Sequence, residues 1–364
     1  MRVKIQQFLF GGTLFSWAIV GQNIGRALIK AGHDVHFVST DGVQDKYVPE
    51  DLKQFIVDAP SGNYDCQISY TAMHNFVRYL AAGSKNRLGI WNYDGTVIPK
   101  HMIKYHSACD KLLPSSNFSK EIFIKNGVPE SKIEVVPHGI DLEEFKTNKK
   151  YKLKTHKKIK IFFNIATPHL RKNIRRTLRT FGKAFNKKDD VCLVMKVNPK
   201  QIKQRFDVDF YDELKIFKNK FKNHAEIEVI KGFVPSLAEL YNACDIVFMM
   251  SNLECWWLPG TEALACNKLV IASNWGGQLH YLSPENSLLI DGKVISMPPH
   301  YQYWEASHMG EMFEPNIDDA VSKLRYAVDN YDKLIEQFSP SMKATVEKYN
   351  WDNVVKKILS INNV

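Results

Sequence analysis

A chain of 364 residues, 45% hydrophobic and 24% charged, has room for two or three domains with ample cores and the composition of an ordinary soluble globular protein. The longest apolar stretch, Phe8 to Val20, is broken by Gly11-Gly12 and is too short to cross a bilayer, which excludes a transmembrane helix there. The formal net charge of +10 is concentrated: residues 151–205 hold 17 Lys/Arg against 2 Asp/Glu, which reads either as solvated surface or as a site for an anionic partner. Six cysteines show no C-x-x-C or metal spacing, and Cys66, Cys192 and Cys244 sit in or beside apolar runs. They read as reduced core residues and favour a cytoplasmic setting. The N-terminus reads as a strand rather than a signal peptide.

In chain order, the pattern predicts a strand over Val3–Leu9, a turn at Gly11-Gly12, a helix over Trp17–Ala31 and a strand over Val35–Ser39. This βαβ unit implies a parallel sheet with a right-handed crossover. It lacks G-x-G-x-x-G, so a dinucleotide cofactor is disfavoured. Further strands are predicted at Cys66–Tyr70, Leu88–Trp91, Lys111–Pro114 and Ile133–Val135. The Lys-rich run 147–158 reads as a linker between domains. A second series follows at Ile159–Ile165, Val191–Val197, Ile227–Ile230, Ile246–Met250, Leu269–Ala272 and Ser287–Ile290, and Trp351–Leu359 reads as a helix. Two doubly wound α/β domains are expected: 1–146, then a linker at 147–158, then 159–340, with 341–364 as a terminal helical segment.

The most informative stretch runs from Glu254 to Glu262, two carboxylates eight positions apart around Leu258-Pro259-Gly260. Proline is poor inside a helix and good at its start. Glu254 is therefore expected in a loop after a strand, and Glu262 in the first turn of a helix. The unpaired N–H groups of such a start suit a phosphate, and carboxylates beside it suit sugar hydroxyls. Gly276-Gly277, after the next strand, lets backbone approach a ligand closely.

Glu254 to Glu262 with Leu258-Pro259, then Val270-Ile271-Ala272-Ser273 and Gly276-Gly277, resembles the donor-site signature of family 4 glycosyltransferases of the GT-B fold. Val136-Pro137-His138-Gly139-Ile140-Asp141 resembles the segment that ends that family's first domain. Arg171-Lys172-Asn173-Ile174 resembles its Lys-Gly-Ile turn, and Gly232-Phe233-Val234-Pro235 with Glu239-Leu240-Tyr241-x-Ala243-Cys244-Asp245 resembles the pattern before the donor strand. The chain departs from the family's usual glycines at Cys255 and Trp257, from an acid at His280 and from an arginine near Thr167.

The resemblance implies a GT-B protein of two Rossmann-like domains facing a cleft, the first on the acceptor side and the second holding the donor, with the terminal helix crossing back to the first domain. It implies retaining transfer of a sugar from a nucleoside diphosphate sugar, UDP- or GDP-linked, to a hydroxyl acceptor. Catalytic roles fall to Glu254 on the donor-sugar hydroxyls, to Lys172 and Arg171 on the diphosphate, and to Asp94 on the acceptor hydroxyl. Glu262 would hold the ribose and Val234 the base. Gly12, Trp256, Trp257, Leu258, Gly276 and Gly277 would complete the donor site, the indoles as an apolar wall. His74 follows another first-domain strand and is a second candidate on the acceptor side.

Lys172, Arg175 or Arg176, Arg179 and Lys183 recur at helical spacing. Two readings stay open: solvated surface, or a stripe that meets an anionic acceptor such as a membrane glycan or modified DNA. Peripheral attachment to a membrane surface accompanies the first of these acceptors. Asp207-Val208-Asp209 is a D-x-D triplet in a polar stretch and is read as surface charge, so no metal or other cofactor is expected. A sugar-nucleotide epimerase and a non-catalytic nucleic-acid-binding protein are the readings from other classes.

Overall fold

The computed structural model describes residues 1–12, 16–58, 63–80, 85–166, 168–197, 208–232, 234–298 and 310–361. The chain divides into two compact units, Met1–Asp141 with Lys348–Val364, and Leu142–Glu347.

The first unit is built on five parallel strands: β1 (Arg2–Gln7), β2 (Asp34–Ser39), β3 (Cys66–Tyr70), β4 (Arg87–Ile90) and β5 (Lys111–Leu112), in the order β2-β1-β3-β4-β5. The Ser16–Lys30 helix connects β1 to β2 and buries Val20, Ile24 and Leu28 along one stripe. Gly25 lets this helix close on the sheet, since a Cβ there would lie 2.1 Å from the Phe37 ring. The strand expected at Ile133–Val135 is reduced to one isolated bridge, Leu112↔Ile133. Pro114 has no N–H to extend that ladder. The Trp351–Ile361 helix packs in this unit, with Lys30 Nζ 2.6 Å from Asp352 Oδ2.

The second unit carries six parallel strands: β6 (Ile159–Ala166), β7 (Val191–Val197), β8 (Glu226–Lys231), β9 (Ile246–Met249), β10 (Leu269–Ser273) and β11 (Leu288–Ile290), in the order β11-β10-β9-β6-β7-β8. β6, β7, β9 and β10 are almost wholly buried, as strands covered on both faces must be, which is why they read as continuous apolar runs. The chain enters at β6, winds out to β8, then returns to β9 on the other side of β6. The crevice beyond the carboxyl ends of β6 and β9 is therefore the topological switch point, where ligands bind in such sheets. An antiparallel hairpin, β12 (Gly292–Ser296) with β13 (Glu311–Pro315), has no counterpart in the sequence reading.

The run 147–158, read from sequence as a linker, lies within the second unit. The Tyr151 amide donates to the Glu239 carbonyl at 2.8 Å, and the Lys154 and Thr155 amides both donate to the Glu228 carboxylate.

Candidate functional site

The switch point brings together two segments that lie 82 positions apart in sequence. After β6 the chain makes a short turn, Leu170–Lys172, and Asn173 then adopts a left-handed conformation with φ +56° before the Ile174–Ala184 helix begins. Asn173 stands where the resembled Lys-Gly-Ile turn has glycine, and asparagine is the side chain that best tolerates this conformation. Its amide donates to the Met250 carbonyl at 2.9 Å, fixing the turn against the loop after β9. Glu254 in that loop is 4% exposed. Lys172 Nζ lies 2.6 Å from Glu254 Oε1 and Arg171 Nη1 lies 2.8 Å from Oε2, while the Ser251 hydroxyl donates to Oε1 at 2.8 Å. Burial opposes the charge on Glu254, but Arg171 and Lys172 outweigh it and hold the carboxyl at about 2. The result is a fixed carboxylate flanked by two cations that are themselves largely buried.

The donor-loop glycines explain the local backbone. The Gly277 amide donates to the Glu254 carbonyl at 2.7 Å, and a Cβ on Gly277 would lie 1.7 Å from the Cys255 carbonyl oxygen. Gly276 has φ +110°. The close approach that requires these glycines is thus to the Glu254–Cys255 backbone of the same unit. Trp257 takes φ +74° immediately before the Leu258–Ala265 helix. Its carbonyl accepts from the Gly260 amide at 3.0 Å and the Tyr281 hydroxyl at 2.7 Å. The indole wall expected around a sugar is not what forms. Trp256 is 2% exposed and packs against Tyr281 and His280 as a core residue, and Trp257 is 6% exposed.

Glu262 lies in the second turn of its helix, not the first, because the helix starts at Leu258 with Pro259 in its opening turn. It is buried and accepts a hydrogen bond from the Tyr241 hydroxyl at 2.7 Å. Burial raises its pKa to about 7, against the Tyr241 hydrogen bond, with Glu144 adding to the rise. Tyr241 is packed edge-on to Phe162. Val234 is buried beside Gly232, which has φ +76°. Phe233 and Thr167 lie outside the described residues, as does Asp207. Asp209 caps the Phe210–Lys220 helix, its Oδ1 accepting from the Tyr211 and Asp212 amides.

In the first unit, Gly12 has φ +99° and a Cβ there would meet the Tyr47 ring at 2.5 Å. Asp94 is half-buried in the loop after β4, and His74 is exposed in the Met73–Asn75 turn after β3. A polar cluster that the sequence reading did not single out lies beyond the ends of β3, β4 and β5. Asn92 Nδ2 donates to the Tyr70 hydroxyl and to His138 Nε2, both at 2.7 Å, and Ser115 Oγ donates to Asn92 Oδ1 at 2.9 Å. His138 is fully enclosed, and burial lowers its pKa to about 3, so it is a neutral acceptor. The only trace of it in sequence was its place in the Pro137-His138-Gly139 run.

The basic stripe on the Ile174–Ala184 helix is met by acids of its own unit. Arg175 forms a two-pronged pair with Glu213, Arg176 pairs with Glu314 of β13, and Lys183 Nζ lies 2.6 Å from Asp318 Oδ1. Arg179 is exposed and its charge is felt at Asp318. Lys172 stands apart from the stripe, on the turn before the helix. All six cysteines are buried and free of disulfides, as Cys66, Cys192 and Cys244 were expected to be. No helix among the described residues is long and apolar enough to cross a membrane.

Comparison with known proteins defines the class. Residues 145–297 match the family described as glycosyl transferases group 1. This range takes in every second-unit residue of the site. A search of curated proteins finds no match. Among solved structures, a glycosyltransferase from Rickettsia africae is 16% identical with a TM-score of 0.73, covering 100% of this chain and 98% of that one. Anabaena Alr3699/HepE in complex with UDP and glucose is 12% identical with a TM-score of 0.73, covering 100% and 99%. Sucrose-phosphate synthase from Thermosynechococcus elongatus is 13% identical with a TM-score of 0.70, covering 100% and 98%. The fold is the one these proteins share, GT-B with two Rossmann-like units. The matched domain makes the chain a glycosyltransferase.

Proposed function

We propose that this chain moves a sugar from a nucleoside diphosphate sugar to a hydroxyl acceptor with retention at the anomeric carbon, and that the donor is UDP-linked. The observation that carries the reading is the buried Glu254 held between Arg171 and Lys172 at the switch point of a domain matched to glycosyl transferases group 1. Crystal structures of the Anabaena protein hold UDP, UDP with glucose, and UDP-glucose, which supports a UDP-sugar here.

In the proposed reaction the bond between the anomeric carbon and the diphosphate oxygen breaks, and its electron pair leaves with the diphosphate. The acceptor oxygen bonds to the same face of that carbon, and its proton departs on the diphosphate. Arg171 and Lys172 neutralise the charge that grows on the leaving group, so no metal is needed for that task. Glu254 orients both cations and accepts hydrogen bonds from donor-sugar hydroxyls, and Glu262 accepts from the ribose. Asp94 positions the acceptor hydroxyl. A glycan or lipid-linked acceptor is favoured over duplex DNA, because the helix stripe that would track a duplex is paired with Glu213, Glu314 and Asp318.

Mass spectrometry of products from a panel of nucleotide sugars and hydroxyl acceptors tests the reading. A mass gain of one sugar on an acceptor, lost in Lys172→Ala, supports it. Turnover of the nucleotide sugar without an acceptor, yielding an isomeric sugar nucleotide, overturns it in favour of an epimerase.

A further inference from the structure

We propose that the segment from Lys150 to Lys158 is a docking strip for an anionic lipid bilayer. This surface is separate from the donor site and carries the positive charge that the Ile174–Ala184 helix does not have to spare. Residues 146–160 contain eight lysines and no acid. The chain bends at Lys154 and Lys158 and turns at Lys152, where the Leu153 amide donates to the Tyr151 carbonyl at 3.1 Å, yet exposure alternates along it. Lys150, Lys152, Lys154, His156 and Lys158 are exposed, while Tyr151, Leu153, Thr155 and Lys157 turn inward to varying degrees and Thr155 is buried. Four lysines and a histidine thus line one exposed strip.

Two observations make this more than a run of solvated lysines. The backbone is pinned: the Tyr151 amide donates to Glu239, the Lys158 amide to Asp190 Oδ1 at 3.1 Å, and Asn242 Nδ2 to the Thr147 carbonyl. The strip is therefore presented in one conformation. The acid bonded to the middle of the strip does not pair with its lysines. Both oxygens of Glu228 accept from backbone amides, Oε1 from Lys154 at 3.0 Å and Oε2 from Lys154 and Thr155 at 3.0 and 2.9 Å, rather than from a lysine ammonium. No carboxylate among the described residues forms an ion pair with Lys149, Lys150, Lys152, Lys154 or Lys158, whereas Arg175, Arg176 and Lys183 on the helix stripe each have one.

The chemistry favours a bilayer over nucleic acid. A single strand stacks successive bases on exposed aromatic rings, and the strip offers only the His156 imidazole, since Tyr151 is turned partly inward. Lysines contact duplex phosphates too, but arginine's planar fork is the side chain of choice for nucleic-acid recognition, and backbone N–H groups add phosphate contacts. The strip has no arginine, and the Tyr151, Lys154, Thr155 and Lys158 amides are already bonded within the protein. A sheet of acidic headgroups asks only for clustered positive charge, to which each lysine adds several-fold in affinity.

The test is co-sedimentation of the full chain with phosphatidylcholine vesicles containing about a third phosphatidylserine, against pure phosphatidylcholine. The chain is expected to sediment with the anionic vesicles only, and to be released by salt on the scale of the Debye length. Replacing Lys150, Lys152, Lys154 and Lys158 by Gln should weaken vesicle binding by on the order of 100-fold or more. Arg179→Gln with Lys183→Gln should leave binding within about twofold. The substituted side chains are exposed, so the melting temperature should not move; if the fourfold variant unfolds, the pair Lys152→Gln and Lys154→Gln gives the same reading at roughly tenfold. The proposal is overturned if the wild-type chain ignores anionic vesicles, if the lysine variants bind as well as wild type, or if duplex DNA at equal phosphate displaces the chain from the vesicles.

Discussion

Lys172 Nζ lies 2.6 Å from Glu254 Oε1 across 82 positions of sequence, and this contact ties the turn after β6 to the loop after β9. The two strands are neighbours only because the sheet order reverses at β6. The pair therefore forms where the topology itself leaves a crevice. Because Arg171 shares the same carboxylate, the unit is a triad whose central charge is the most deeply buried.

Glu254→Gln should thus do two things at once. It leaves two largely buried cations without their counter-charge, which costs about 3–5 kcal/mol of stability. It also removes charge-assisted hydrogen bonds to the donor, so transfer should fall roughly 10- to 100-fold. Urea unfolding and product formation measure the two separately. The folded pKa of about 2 lies below the ordinary 4.5, so the stabilisation from Glu254 is present above pH 4.5 and is lost as pH falls through about 2. A variant with wild-type stability and turnover would remove the triad from the site.

Gly277→Ala is expected to disrupt the same loop from the other side. The new Cβ would sit 1.7 Å from the Cys255 carbonyl oxygen and 2.2 Å from its carbon, and both are backbone atoms that cannot swing away. A loss of several kcal/mol follows, with transfer falling in parallel. Gly32→Ala is the comparison: φ there is +83° but no atom lies within 4 Å. It should cost only the left-handed strain, about 1–2 kcal/mol, and leave transfer unchanged. Equal melting temperatures for the two variants would mean that the loop moves aside.

The parallel sheets were legible because both faces of each strand are covered, so β6, β7, β9 and β10 appear as plain apolar runs. The E-x7-E spacing located Glu254 and Glu262 for the same reason that Pro259 fixes a helix start. What escaped depends on tertiary partners. The resemblance grouped Arg171 and Lys172 with Glu254 at one donor site, but did not show the two ion pairs that join them. Trp256 looks like a pocket residue until Tyr281 and His280 close on it. The helical spacing of Arg175, Arg179 and Lys183 is real, but Glu213 and Asp318, which decide its meaning, come from distant helices. The β12–β13 hairpin was missed because its exposed first strand lacks the apolar pattern that marked the others. It is tied to the site through Asn252, whose side chain donates to the Phe313 carbonyl at 2.7 Å.

Transfer should survive chelation. In the proposed site Arg171 and Lys172 would meet the donor diphosphate and supply the neutralisation that a divalent ion performs elsewhere. Activity measured in EDTA is expected to equal that in added Mg²⁺ or Mn²⁺. Loss in EDTA with recovery on adding either ion would assign a metal role and direct attention to Asp209 and its neighbour Asp207.

Glu262 gives stability a pH dependence opposite in sign to that of His138, whose pKa burial lowers. Its folded pKa of about 7 lies above the ordinary 4.5, chiefly through burial. The folded state therefore keeps a proton that the unfolded chain gives up, and this group's contribution to stability should fall as pH rises from 4.5 to about 7, then level off. The drop from this one group is about 3 kcal/mol. Glu262→Gln keeps an acceptor for the Tyr241 hydroxyl and has no proton to lose, so it should lack this drop, gain about 3 kcal/mol on wild type across the window and exceed it above pH 7. Tyr241→Phe removes the hydrogen bond that favours the carboxylate, so the window should extend to higher pH. Donor affinity should show the reverse slope in wild type, because the ionised carboxylate is the stronger acceptor for ribose hydroxyls. Urea unfolding and nucleotide titration across the window, on wild type and both variants, measure every part of this. Parallel pH–stability curves for wild type and Glu262→Gln would show that Glu262 is already ionised in the folded protein.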